Sequence, residues 1–158
     1  MQIVPSCGVT SSESRRICAT EFVDDAAVLV GEAIGKAVGV EAPNGVVGTS
    51  GGKQIWWTDG SVCKTAKINA DGTLSDPKVA AKVGSDGLAV DARGRLYTTA
   101  KEGLAIHDAD ANQIGLIPVP ESPSNMKFGG VDGTTLFITA RTGAYIVKSK
   151  TAGEGFGK

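Results

Sequence analysis

Three side chains bearing amide or carboxylate oxygens recur at one position of a repeating pattern: Asn44, Asp86 and Asn125, spaced 42 and 39 residues apart. Each opens an apolar run, namely Val46-Val47, Leu88-Ala89-Val90 and Met126-Lys127-Phe128. Oxygen donors of this type suit a hard divalent cation such as Ca²⁺, Mg²⁺ or Mn²⁺, and Zn²⁺ where a carboxylate and open positions are offered. A local reading competes with this one. Asn and Asp before Gly favour turns, because their side chains hydrogen-bond nearby backbone and tolerate left-handed conformations. The choice depends on whether the fold brings the three residues together.

Segments 42–60, 84–103 and 123–143 overlay, and show what must position these residues. After the apolar run comes a Gly-bearing turn (Gly51-Gly52, Arg93-Gly94, Asp132-Gly133). A second strand then ends in an aromatic residue and a threonine (Trp57-Thr58, Tyr97 to Thr99, Phe137 to Thr139). Further hairpins turn at Ala70-Asp71-Gly72 and Asp110-Ala111-Asn112. Four short antiparallel strands per blade-sized period, repeated, predict an all-β chain: a partial, about three-bladed β-propeller. About eleven strands are expected between 44 and 149, with the last unit short of its fourth. A parallel sheet would need helical crossovers, and no amphipathic stretch after residue 41 offers one. In a propeller the innermost strand of each blade lines the central channel, so Asn44, Asp86 and Asn125 should converge on one mouth.

The chain has 158 residues, 41% hydrophobic and 21% charged, which predicts one ordinary globular unit. Sixteen basic against seventeen acidic residues leave no charge excess for phosphates or anionic lipid. Neither nucleic acid nor a membrane is therefore expected as a partner. Three cysteines, an odd number without C-x-x-C, predict free thiols in a reducing compartment. The first residues lack the basic and apolar regions of a signal peptide, so the expected location is cytoplasmic.

Composition divides the chain into an N-terminal segment 1–41, blades over 42–150 and a tail 151–158, with eighteen of the 22 glycines after residue 41. Within 1–41, Phe22, Ala26, Leu29, Ala33 and Ala37 recur at helical spacing behind Thr20 as a cap, predicting a helix over about 21–38. The competing reading is a strand over 27–30 ending at Gly31.

The motifs PNGVV (43–47), ADGTLSDPKV (70–79), SDGLAVDARGRLY (85–97), IPVPESPSNMKFGG (117–130) and DGTTLFITARTGAY (132–145) are collinear over about two thirds of the chain. In them the sequence resembles the gluconolactonase and regucalcin (senescence marker protein) family of six-bladed propellers, which hydrolyse sugar lactones with a divalent metal. The resemblance covers the C-terminal three blades. It implies a metal-dependent lactone hydrolase in which Asn44 ligates the metal and Asp86 both ligates it and serves acid/base chemistry. Asn125, at the same repeat position, is assigned to substrate binding. The cofactor implied is Ca²⁺, Zn²⁺, Mn²⁺ or Mg²⁺, and the substrate a small lactone. The family also takes a metal-binding Glu from its first blade and substrate-binding residues from its second, and neither blade is recognisable here. The alternative function is accordingly a non-catalytic half-propeller that binds or scaffolds.

Other candidates are structural on their surroundings. His107, the only histidine, lies on an expected outer strand as a surface or packing residue. Cys63 alternates with Val62 and Lys64 as strand packing. Trp56 and Trp57 point to opposite faces of one strand, one toward the core and one toward a pocket or interface. Three blades leave two end faces open, which predicts association into a homo-oligomer unless 1–41 covers one of them.

Overall fold

The computed structural model describes residues 22–23, 26–27 and 40–156. Two-residue strands β1 (Phe22–Val23) and β2 (Ala26–Ala27) pair antiparallel, Phe22 opposite Ala27. Most of the helix expected over 21–38 lies outside the described residues, as does the strand over 27–30 beyond Ala27. Where the segment is described, extended backbone replaces the helix. Phe22 and Val23 have the aromatic and branched side chains that favour strands.

Eleven further strands form three antiparallel meanders. Blade A contains β3 (Pro43–Gly48), β4 (Gln54–Asp59), β5 (Val62–Ile68) and β6 (Leu74–Ala81). Blade B contains β7 (Leu88–Val90), β8 (Leu96–Ala100), β9 (Gly103–His107) and β10 (Gln113–Pro118). Blade C has three strands among the described residues, β11 (Pro123–Gly129), β12 (Thr135–Ala140) and β13 (Ala144–Lys148). Strand number and order follow the repeat, and the short third blade is observed. Two of the connecting turns share one device. In Asp71-Gly72-Thr73 and Asp132-Gly133-Thr134 the aspartate accepts both the amide and the hydroxyl of the threonine two residues on. These bonds, the hydroxyl's first, hold both carboxyls below the ordinary aspartate range.

Side-chain alternation along the strands gives each blade two packing faces. Between blades A and B, Trp56, Cys63, Ala81, Leu88, Val90 and Leu96 are buried together. Between blades B and C the core is Ala89, Tyr97, Leu104, Met126, Phe128, Leu136 and Ile138, and the Tyr97 and Phe128 rings meet edge to face at 5.3 Å. The two end faces differ. On blade A, Ile55, Trp57 and Ala66 are buried, with Val40, Ile68 and Leu74 against them. On blade C, Phe137 and the Ile146 opposite it are 44% and 68% exposed. Trp56 therefore belongs to the inter-blade core and Trp57 to the end face. Both end faces keep exposed apolar side chains, Val46 and Val79 in the register row of Trp57 on blade A and Phe137 and Ile146 on blade C.

The C-terminal segment recrosses all three blades at the rim where the innermost strands end. The Ala92 amide donates to the Ala152 carbonyl (2.9 Å), the Gly153 amide to Gly133 (3.0 Å) and the Glu154 amide to Val90 (2.9 Å). Glu154 also accepts the backbone amide of Ser50 in blade A at 2.6 Å. This strap closes the rim opposite Asn44 and Asp86.

Candidate functional site

Asn44 is the second residue of β3, and Asp86 lies in the loop entering β7. Blade A holds Asn44 from behind through Asp59 at the end of β4. One Asp59 oxygen accepts the Glu41 and Ala42 amides at 3.0 and 2.9 Å, and the other accepts Lys64 Nζ at 2.6 Å. The Ala42 amide foremost, then Lys64, lowers the Asp59 pKa to about 2. The chain entering β3 is thereby clamped to the end of its neighbour.

Asp86 is held by blade B. Thr99, near the end of β8, accepts the amides of Asp86 (3.1 Å) and Gly87 (3.3 Å) on its Oγ1. Ser85 Oγ donates to the Gly87 carbonyl at 2.6 Å and accepts the Thr99 amide at 2.8 Å. Thr58 of blade A donates to the Ser85 carbonyl at 2.7 Å, joining the two blades behind the loop. Two glycines let the innermost segments touch. A Cβ on Gly45 would sit 2.5 Å from the Asp86 carbonyl oxygen, and one on Gly87 would sit 2.7 Å from the Asn125 Cα. No larger residue permits that approach.

The outcome is a direct bond across two blades: Asn44 Nδ2 donates to Asp86 Oδ1 at 2.8 Å. Both side chains are exposed, so neither is walled off from a ligand. They line a cavity of about 690 Å³ to which blade A gives Thr58, blade B Ser85, Thr99, Lys101 and Glu102, and blade C Ser122 and Pro123. The third repeated residue does not join them there. Asn125 follows Gly87 in space, but its Oδ1 accepts the Met126 amide at 2.8 Å. It lines a separate apolar groove of about 740 Å³ beside Val46, Leu88, Phe137 and Ile146.

The chemistry of the mouth suits part of a cation site. Asp86 brings a carboxylate and Asn44 an amide whose oxygen can turn toward a cation, and both are hard donors. Among the described residues no group of three or more His, Cys, Asp or Glu side chains could hold a metal ion. The pair therefore fits a divalent cation as two members of a larger set.

The remaining sequence candidates are structural. His107 is buried on β9, the third strand of blade B, with Nε2 3.0 Å from Thr98 Oγ1 and no partner for Nδ1. Burial lowers its pKa, favouring the neutral ring. Cys63 is buried and unpaired by disulfide, its thiol pKa raised by burial. The residues that sequence reasoning missed are Ser85 and Thr99. A signal for them existed: Thr58, Thr99 and Thr139 occupy one repeat position, and all three hydroxyls bond the segment carrying a repeated Asn or Asp or the residue before it.

The family described as the SMP-30/Gluconolactonase/LRE-like region matches residues 28–142. Comparison with curated proteins gives no match. Among solved structures, a protein assigned as a gluconolactonase is 28% identical at a TM-score of 0.63, over 70% of this chain and 40% of its own. A gluconolactonase from Xanthomonas campestris is 27% identical at 0.61, over 69% of this chain and 38% of its own. A calcium-binding regucalcin from Agrobacterium tumefaciens, 19% identical at 0.60 over 73% of this chain and 48% of its own, shares the fold. The chain thus spans about two fifths of the length of the first structures it matches. The repeat, the three stacked meanders and a family match over most of the chain agree: the protein belongs to the SMP-30/gluconolactonase family and forms part of its β-propeller.

Proposed function

We propose that this chain supplies half of a metal-dependent lactone-hydrolysing site, built on Asn44 and Asp86. The observation that carries the reading is the 2.8 Å bond between these two side chains from adjacent blades, at an exposed cavity mouth in a chain of this family. A divalent cation bound there would supply polarisation of the lactone carbonyl and charge opposite the developing oxyanion. Asp86 takes the proton of the attacking water on a carboxylate oxygen and returns it to the alkoxide leaving group. Asn44 fixes the orientation of that carboxylate through its amide. Lys101, Ser122 and Asn125 are the nearby polar groups for substrate hydroxyls, with Asn125 reached from the neighbouring groove.

Completing the cation's ligands takes residues beyond the described ones, so we propose an assembly in which further blades close the ring. A second copy of this chain is one source, docking on the exposed Phe137 and Ile146 face. The test is hydrolysis of a panel of small sugar lactones with saturating Mn²⁺, Zn²⁺ or Ca²⁺. Turnover that falls by about 100-fold or more in Asp86→Asn, with the fold retained, supports the reading. Equal turnover in the variant rejects it.

The second reading is a half-propeller that binds without catalysis. What favours it is that, among the described residues, no group of three or more His, Cys, Asp or Glu side chains could hold a metal ion. Cation binding without turnover in the assembled form would select it.

A further inference from the structure

We propose that Thr99 is a positioning residue, acting with Ser85 as a latch that sets the Asp86 carboxylate against Asn44. The inference rests on the functional reading above and extends it to residues that act through the backbone of Asp86.

The hydrogens in the latch can be assigned. Ser85 has one hydroxyl proton, and it goes to the Gly87 carbonyl at 2.6 Å. The 3.0 Å contact between the Ser85 and Thr99 hydroxyls must then be donated by Thr99. Thr99 Oγ1 is left with its lone pairs for the Asp86 and Gly87 amides, at 3.1 and 3.3 Å. The Thr99 amide returns to Ser85 Oγ at 2.8 Å and closes the ring of bonds. Both residues are buried, so water cannot substitute for either hydroxyl without opening the loop. The Asp86 side chain is exposed, and what fixes its direction is the backbone this latch holds.

Blade C serves as an internal control. Ser124 and Thr139 occupy the same repeat positions, and their hydroxyls also meet, at 3.1 Å. Ser124 donates to the Thr139 carbonyl instead, and Asn125 turns its oxygen onto the Met126 amide. The same residue pair without amide capture leaves its Asn spent on its own backbone. The blade B version keeps a carboxylate oxygen directed across to the next blade.

The experiment uses the full chain and Mn²⁺ alone as probe, with Thr99→Val, Thr99→Ser and Ser85→Ala. Calorimetric titration reads affinity. The ¹⁵N–¹H signals of the Asn44 side-chain amide read its bond to Asp86. Thr99→Val is expected to weaken Mn²⁺ binding by about 10- to 100-fold, the usual cost of losing an outer support of a metal ligand. It should also shift the Asn44 amide toward its solvated position. Thr99→Ser, which keeps the hydroxyl, should restore both. Should Thr99→Val fail to fold, Ser85→Ala is expected to move both readouts in the same direction. Unchanged affinity and an unchanged Asn44 signal in a folded Thr99→Val or Ser85→Ala would overturn the latch. If the unsubstituted chain takes up no Mn²⁺, the functional reading fails. The Asn44 signal then decides the latch alone, its shift in Thr99→Val upholding it and its constancy overturning it.

Discussion

Asp86 and Asp91 flank β7 at opposite ends, five residues apart, and their surroundings are opposites. Asp91 is 0% exposed. Its Oδ1 accepts the amides of Arg93 and Arg95 at 2.9 and 3.0 Å, and its Oδ2 accepts Arg95 Nε at 2.7 Å and the Tyr97 hydroxyl at 3.3 Å. Arg95 reaches on to Thr151 of the strap, and Gly153 pairs with Asp91 itself. Asp86 has the Asn44 amide and an open cavity. A carboxylate whose acceptor sites are all used holds structure together. One whose backbone is clamped and whose oxygens face solvent is available for chemistry. Surroundings separate two aspartates that residue type alone cannot.

Breaking the buried end should cost most. Asp91→Ala leaves Arg95 and two amides without their acceptor and frees the strap. A loss of about 3 to 5 kcal/mol in stability is expected by urea denaturation, the range for removing one member of a buried ion pair. A loss below about 1 kcal/mol would mean the rim does not depend on this carboxylate. The same change of charge at the other end should behave oppositely. Asp86→Asn is expected to keep stability within about 0.5 kcal/mol, as exposed sites do, while cation uptake and any hydrolysis fall.

An intermediate effect is expected where the two blades touch at the mouth. Gly45→Ala places a methyl group against the Asp86 backbone, and overpacking of this kind costs about 1 to 3 kcal/mol. Thermal melting measures that cost, and the Asn44 amide signal should shift with it.

The smallest effect concerns pH. His107 is buried with a lowered pKa, so the unfolded chain binds its proton more readily than the folded one. Its contribution is present above the ordinary histidine value of 6.5 and is lost as pH falls below it toward the depressed folded value. Urea midpoints at pH 7.5 and 5.0 should therefore differ by more in the unsubstituted protein than in His107→Gln. Equal differences would show that the ring titrates normally.

The blades were legible because each repeat carries its own punctuation. Asp132-Gly133 and Asp71-Gly72 mark turns, and an aromatic residue followed by a threonine marks the end of the second strand of each unit. Asn44 and Asp86 were legible as a pair because equal repeat positions meet in a propeller. Asn125 shared the position without sharing the cavity, since the capture of the Met126 amide depends on local torsions that spacing does not encode. The Ser85–Thr99 latch was hidden for a related reason. Threonine at a strand end is ordinary, and only the packing of one loop on β8 shows where its hydroxyl points. Asymmetry between the end faces also escaped the repeat, because equivalent strands predict equivalent exposure, whereas Ile55 and Trp57 are buried and Phe137 and Ile146 are not.

We propose that the cation-holding carboxylate is Asp86, at the shared mouth, and not any of the exposed turn aspartates. Substoichiometric Mn²⁺ added to ¹⁵N-labelled protein tests it directly, because the paramagnetic ion broadens the nearest amides first. Asn44, Gly45, Asp86 and Gly87 are expected to broaden before the rest, and Asp86→Asn to abolish this order. Earlier broadening at Thr73 or Thr134, beside Asp71 and Asp132, or the same pattern in Asp86→Asn, would contradict it.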